Sequence, residues 1–313
     1  MDPIYHMTYL QAVVIGLIQG ITELFPISSL GHTVLIPSWL GGTWGILVRQ
    51  ESRAESPYLA FVVGLHLATA IVLLAVYART WARVIRGFVT SITRREVRSA
   101  DQKLAWLIVV ATIPVGLAGL ALEHPFRVLF AKPLAAAIFL MINGVILLGG
   151  EALRRRAQRP RAQRPPAGTG TREDQDPMLD EAAEQRLAGL GIWSALWIGA
   201  SQILALFAGI SREGVTMVGG LTRGLTREDA MRFSFLLSTP VILAAGALKI
   251  SDLLGPLGAG VRGQIVAGSV AAAVSSLFAI LFLARYFRTR TLVPFAIYCL
   301  LAGLASAIRF GIF

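Results

Sequence analysis

Residues 15–33 read IGLIQGITELFPISSLGHT, and residues 198–216 read IGASQILALFAGISREGVT. At a constant offset the two stretches share Ile15/Ile198, Gly16/Gly199, Gln19/Gln202, Ile27/Ile210, Ser28/Ser211, Gly31/Gly214 and Thr33/Thr216. Each is an apolar run that breaks at a Pro/Gly/Ser cluster and then resumes. Polar side chains collect at the break: Gln19, Glu23, Ser28, Ser29 and His32 in one copy, Ser211, Arg212, Glu213 and Thr216 in the other. Interrupted hydrophobic segments at matching places in two halves point to a membrane-embedded binding site.

The chain around these copies has the composition of a membrane protein. Of its 313 residues, 55% are hydrophobic and 15% are charged, too apolar for a soluble domain of that length. Alternating strand patterns are not seen, which argues against a β-barrel. The start of the chain lacks a basic region before its apolar run, so no cleaved signal peptide is expected. The single cysteine, Cys299, sits in an apolar run; it excludes an intrachain disulfide and reads as a packing residue. The net charge of +11 belongs to loops rather than to nucleic-acid binding, because aromatic and basic residues are not interleaved in any compact polar domain.

Read in order, residues 8–25 and 28–40 form an interrupted helix pair, and 41–57 a polar loop. Spans follow at 58–77, 104–122 and 133–148, with a basic loop and short amphipathic helix at 79–103. A segment rich in Arg, Pro, Gln and Asp, 151–186, reads as a linker without a core. A second interrupted pair follows at 188–207 and 212–222, then spans at 230–248, 263–284 and 292–308. The expected fold is an all-α polytopic membrane protein of two inverted-topology repeats, 8–150 and 187–313. Each repeat is a re-entrant helix pair plus three transmembrane helices. The odd number of crossings per half inverts the second half. Placing the 79–103 loop in the cytoplasm puts 21 Lys and Arg inside against seven outside, as the positive-inside rule requires, with both termini outside. The linker arginines then sit near anionic headgroups or in solvent.

Two charges fall at membrane depth, Glu23 and Arg212, where an unpaired charge costs at least ~2.5 kcal/mol. They form either a structural ion pair or part of an anion site. For an anion site, Ser28 and Ser211 stand at helix starts as N-caps, whose free N–H groups suit phosphate. Gly31 and Gly214 allow close backbone approach, and Arg212 can grip phosphate oxygens in pairs. Glu23 suits a divalent cation or a base. Ser29 offers a hydroxyl, with His32 on the same helix face. His66 and Asn143, each within a span, either face the same cavity or are hydrogen-bonded core residues, and the second reading is preferred.

These residues carry a resemblance to the undecaprenyl-diphosphate phosphatase family of the bacitracin-resistance type. Gln19 and Glu23 match its [E/Q]xxxE element. Pro26, Ser28, Ser29, Gly31 and His32 match PxSSxGH. Gly209, Ser211, Arg212, Gly214 and Thr216 match most of PGxSRSGxT. The resemblance implies hydrolysis of a polyprenyl diphosphate to the monophosphate and inorganic phosphate, recycling the lipid carrier of cell-wall synthesis. It implies a multi-pass protein of the bacterial cytoplasmic membrane with its site open to the outer face, and it allows a homodimer. Glu23, Ser29, His32 and Arg212 would be catalytic, with Ser29 or a water attacking. Gln19, Ser28, Gly31, Ser211, Gly214 and Thr216 would bind the diphosphate. A divalent cation, Mg2+ or Ca2+, would assist. Ala208 stands where the family has proline, and Glu213 where it has serine. Because Gln19 is an amide where the family often has a carboxylate, Glu213 is expected to complete the metal site with Glu23; alternatively it pairs with an arginine or alters the substrate. The rival reading is a lipid-phosphate transporter of the same fold, which would need Arg212 and the helix ends but no nucleophile and base.

Overall fold

A computed structural model describes residues 7–51, 57–130, 132–158, 181–250, 254–255 and 260–312. Among the described residues there are helices and no strands. The first break lies between α1 (Tyr9–Leu24) and α2 (Ser29–Leu40), and α3 (Gly42–Glu51) follows. Next come α4 (Pro57–Val76), α5 (Ala78–Arg94), α6 (Ala100–Phe130) and α7 (Pro133–Gln158). The second half holds α8 (Glu181–Ala188), α9 (Ile192–Ser201), a 3-10 segment Gln202–Leu206, α10 (Arg212–Thr222), α11 (Arg227–Leu248), α12 (Arg262–Thr289) and α13 (Val293–Ile312).

Among the described residues, helices α6, α7, α11, α12 and α13 are long and apolar enough to cross a membrane. The number rises to seven if α4 with α5, and α8 with α9, each count as one bent span. Leu120, Phe278 and Leu301 stand 68%, 68% and 63% exposed, which suits a surface facing lipid rather than water. The protein is a multi-pass helical membrane protein.

Local chemistry explains the breaks. Thr8 caps α1 in a reciprocal box with Gln11, satisfying two N–H groups at its start. Pro26 forces Phe25 out of the helical region, and Phe25 is extended at φ −73°, ψ 147°. The chain turns through Ser28, at φ 72°, a region that non-glycine residues seldom adopt. In the second half the 3-10 segment loosens the end of α9, and Gly209 takes φ 114°. Glycine supplies there the turn that proline and strain supply in the first half.

The two broken helix pairs are backed by long helices at close range. A Cβ on Gly16 would lie 2.3 Å from the carbonyl oxygen of Gly268 on α12; one on Gly199 would lie 2.1 Å from that of Ala111 on α6. The shared glycines thus do the same work in both copies: they let each broken helix seat on a spanning helix. Helix α4 packs on α11, and α7 on α13.

Three features differ from the expectation. The 41–57 loop contains α3, because Trp44 and Leu47 find a place in a second core with Met7, Ile15 and Phe61. Helix α7 continues to Gln158, and α8 occupies the end of the expected linker; residues 159–180 lie outside the described ones. Helix α8 is fixed by ion pairs. Its Glu184 accepts from Thr80 at 2.5 Å and from Arg83, and Arg186 donates to Asp229 at 2.8 and 3.0 Å.

Candidate active site

The two breaks meet in the interior. Ser28 Oγ accepts from Gly31 N at 3.2 Å, capping α2, and also from Gly209 N at 3.2 Å across the break. Ser211 Oγ accepts from Gly214 N at 3.1 Å, capping α10, and donates to the Phe25 carbonyl at 3.3 Å. Both serines are N-caps, as their position before a resumed apolar run foretold. Each also ties one break to the other. Asn143 on α7 completes the link: Nδ2 donates to the Pro26 carbonyl at 2.9 Å, and Oδ1 accepts from Ser211 N at 3.0 Å. One fully buried amide therefore satisfies a carbonyl of the first break and an N–H of the second, where an orphaned group would be costly.

Glu23, at the end of α1, is the hub. Its Oε2 accepts from Ser29 Oγ at 2.5 Å and from Gln19 Nε2 at 2.8 Å, and lies 3.4 Å from His66 Nε2. Its other oxygen is paired with Arg212. Gln19 falls beside Glu23 because the two are four residues apart on one helix. Ser29 arrives from the start of α2, His66 from α4 and Arg212 from the start of α10. The Glu23 side chain is 3% exposed, whereas those of Arg212 and His66 are 17% and 23% exposed. The cationic and imidazole groups therefore form the accessible front, with the carboxylate behind.

The remaining candidates are placed as follows. His32 is not a hydrogen-bond partner of Ser29. Its Nδ1 lies 2.6 Å from the Ser28 carbonyl, and its Nε2 lies 2.7 Å from the hydroxyl of Tyr298 on α13, whose ring stacks on it. Thr216 gives its hydroxyl to the Arg212 carbonyl at 2.6 Å, back-bonding on its own helix. Gly31 faces the backbone of Gly209, where a Cβ would come within 3.0 Å of Cα; Gly214 faces Leu147, Ser211 and Asn143. Their small size serves the packing of one break on the other.

Glu213 is fully buried. It accepts hydrogen bonds from Ser234 and, at 2.5 Å, from Ser238, both on α11, and Arg212 Nε lies 3.8 Å away. Its two oxygens are occupied, and what it shares with Glu23 is Arg212. Among the described residues no group of three or more His, Cys, Asp or Glu stands ready for a metal ion. The donor set at Glu23 is different in kind: Gln19 Oε1 is buried without a hydrogen-bond partner, and Gln19 stands one helical turn from the carboxylate to which its Nε2 donates. A hard cation that keeps most of its coordination for water and substrate phosphate needs only one or two such protein oxygens.

Tyr298 escapes a reading of the sequence, and His66 and Asn143, read there first as hydrogen-bonded core residues, also belong to this region. His66 bonds the Val62 carbonyl at 2.9 Å as a core histidine would, yet its other nitrogen turns to Glu23. Asn143 and Tyr298 lie far along the chain, in spans without a motif. The one available hint is the cost of polar groups at membrane depth.

Comparison with known proteins identifies the family. The family description "Bacitracin resistance protein BacA" matches residues 12–305. An undecaprenyl-diphosphatase of Mycolicibacterium paratuberculosis is 55% identical over 303 residues, 97% of each chain. Undecaprenyl-diphosphatase 2 of Frankia alni is 52% identical, covering 98% of this chain and 99% of its own. Undecaprenyl-diphosphatase 2 of Chromobacterium violaceum is 38% identical, covering 96% and 98%. With the match running through both breaks and nearly the whole chain, the protein belongs to the bacitracin resistance protein BacA family.

Proposed function

We propose that the chain hydrolyses a long-chain polyprenyl diphosphate, of the undecaprenyl type for which its relatives are named, to the monophosphate and inorganic phosphate. The observation that carries this reading is the contact set at Glu23: a serine hydroxyl on one carboxylate oxygen and a guanidinium on the other. A nucleophile, its base and a phosphate-binding cation are already within reach of one another.

An arriving diphosphate meets Arg212 and His66 first. Arg212 turns from Glu23 to the phosphate oxygens, which its planar fork can hold in pairs. The starts of α2 and α10 add N–H groups that the helices themselves leave free. Glu23, released from Arg212, takes the proton of Ser29 while Ser29 Oγ attacks the terminal phosphorus. The bond from that phosphorus to the bridging oxygen breaks, and its electron pair leaves with the polyprenyl monophosphate. His32, steadied by Tyr298, is assigned to the leaving phosphate. Water then attacks the phosphoserine, Glu23 returns the proton to Ser29 Oγ, and inorganic phosphate departs. A divalent cation held by Glu23 and Gln19 Oε1 would neutralise charge on the diphosphate oxygens.

The excess of Lys and Arg on one side, 21 against seven, supports inverted repeats in a bacterial cytoplasmic membrane, with the site open to the outer face. The test is phosphate release from a long-chain polyprenyl diphosphate by the purified protein, with and without divalent cation, beside Arg212→Ala. Cation-dependent release that falls about 100-fold or more in the variant supports the reading. No release by folded protein overturns it and favours lipid-phosphate transport.

A further inference from the structure

A cleft of about 530 Å³ lies between α5, α6 and α11, lined by Trp81, Ile85, Phe88, Ile113, Gly116 and Pro240 among others. That volume suits a small-molecule site. None of the residues around Glu23 lines it, so it is separate from the candidate active site. Its one hydroxyl-bearing side chain, Thr112, gives that hydroxyl to the Ile108 carbonyl at 2.8 Å. The cleft therefore offers an occupant only apolar contact.

The helix that forms one wall tells more. Helix α5 is bent 85° from α4; with α4 as a span, as the sequence layout has it, α5 lies along the bilayer surface. Ile85, Val89 and Ile92 form a stripe at helical spacing, 56%, 51% and 53% exposed, on the same side as the cleft-lining Trp81 and Phe88. Arg79, Arg86 and Arg94 are exposed on the other side. An apolar underside with arginines above it is the pattern of a helix seated at the headgroup boundary.

We infer that this cleft is a binding site for an anionic diacyl phospholipid, with an acyl chain in the cleft and the headgroup phosphate against the arginines of α5. An apolar interior below a basic rim complements that chemistry. A zwitterionic lipid supplies the chain but no net charge for the rim. The site stands apart from the proposed hydrolysis and does not depend on it.

Gly116 provides the test. A Cβ added there meets nothing within 4 Å, so Gly116→Leu fills the cleft without displacing neighbours and improves helix propensity. Purified full-length protein in neutral detergent is titrated with phosphatidylglycerol or phosphatidylcholine, and bound lipid is read by native mass spectrometry. Phosphatidylglycerol is expected to bind at least about tenfold tighter. Gly116→Leu removes this tight binding and leaves phosphate release unchanged. Arg79→Gln with Arg86→Gln weakens phosphatidylglycerol about thirtyfold, by the usual contribution of two basic residues at an anionic surface, and leaves phosphatidylcholine as before. Equal binding of the two lipids by the unaltered protein overturns the inference. So does undiminished phosphatidylglycerol binding by Gly116→Leu, or displacement of that lipid by a polyprenyl phosphate, which would make the cleft a substrate site.

Discussion

Ser29 donates its hydroxyl to Glu23 at 2.5 Å, and Glu23 is the carboxylate on which Arg212 also closes. The pair joins a residue at the end of one half-helix to a residue at the start of the next, across a turn forced by Pro26. If Glu23 is the base for Ser29, Glu23→Gln should lower the single-turnover rate of phosphate release by about 10²–10⁴-fold. Ser29→Ala should cost at least as much. A Ser29→Ala rate within about tenfold of the parent would mean that water attacks directly.

The Glu23–Arg212 pair has a structural share that can be separated from its chemical one. Removing one member of a buried pair leaves the other charged and alone, at a cost of about 3–5 kcal/mol. Arg212→Ala should therefore lower the melting temperature sharply, and adding Glu23→Gln should recover much of it. Activity should not return. Recovery of activity in the double variant would reduce the pair to a structural one.

Asn143 makes the same point for the breaks themselves. Asn143→Leu strands the Pro26 carbonyl and the Ser211 N–H, each at about 1–3 kcal/mol. Asn143→Asp keeps the acceptor for Ser211 and sets a carboxylate against the Pro26 carbonyl. Both should reduce thermal stability and lower kcat with a smaller change in KM, because they disturb the placing of Ser28 and Ser211 rather than a substrate contact. Parent-like melting in both variants would show that the two breaks do not rely on this amide.

The expected part of Glu213 in a metal site is open to a direct test. The sequence offers Glu213 as the charge that Gln19 lacks, but its oxygens are held by Ser234 and Ser238. Glu213→Ser should therefore leave the concentration dependence on Mg2+ or Ca2+ unchanged, while Gln19→Glu should shift it to lower concentration by about tenfold. A shift in the Glu213→Ser titration instead would return Glu213 to the cation.

Much of this fold is legible in the sequence because membrane helices announce themselves by length, and breaks by proline, glycine and capping serine. The paired Gly16 and Gly199 are visible as repeats, and their close seats on Gly268 and Ala111 explain why both are glycine. The site is legible as far as its motifs run: Gln19, Glu23, Ser29 and Arg212 do come together. What stays hidden depends on which spans face one another. Periodicity cannot say that α4 turns His66 toward Glu23, that α13 sets Tyr298 on His32, or that α11 brings two serines to Glu213. Helix α3 escapes because its apolar residues are few and their partners lie far off in the chain. Helix α8 escapes because it is short: its buried apolar residues, Ala183, Leu187 and Ala188, are too few to show a pattern, and ion pairs supply its other contacts.

The most direct test of the central claim is a rapid acid quench during turnover of a polyprenyl diphosphate labelled in its terminal phosphate. The account predicts a transient covalent label on the protein, located at Ser29 and absent from Ser29→Ala. Full turnover with no label at any time, together with a Ser29→Ala variant that still releases phosphate, would contradict it.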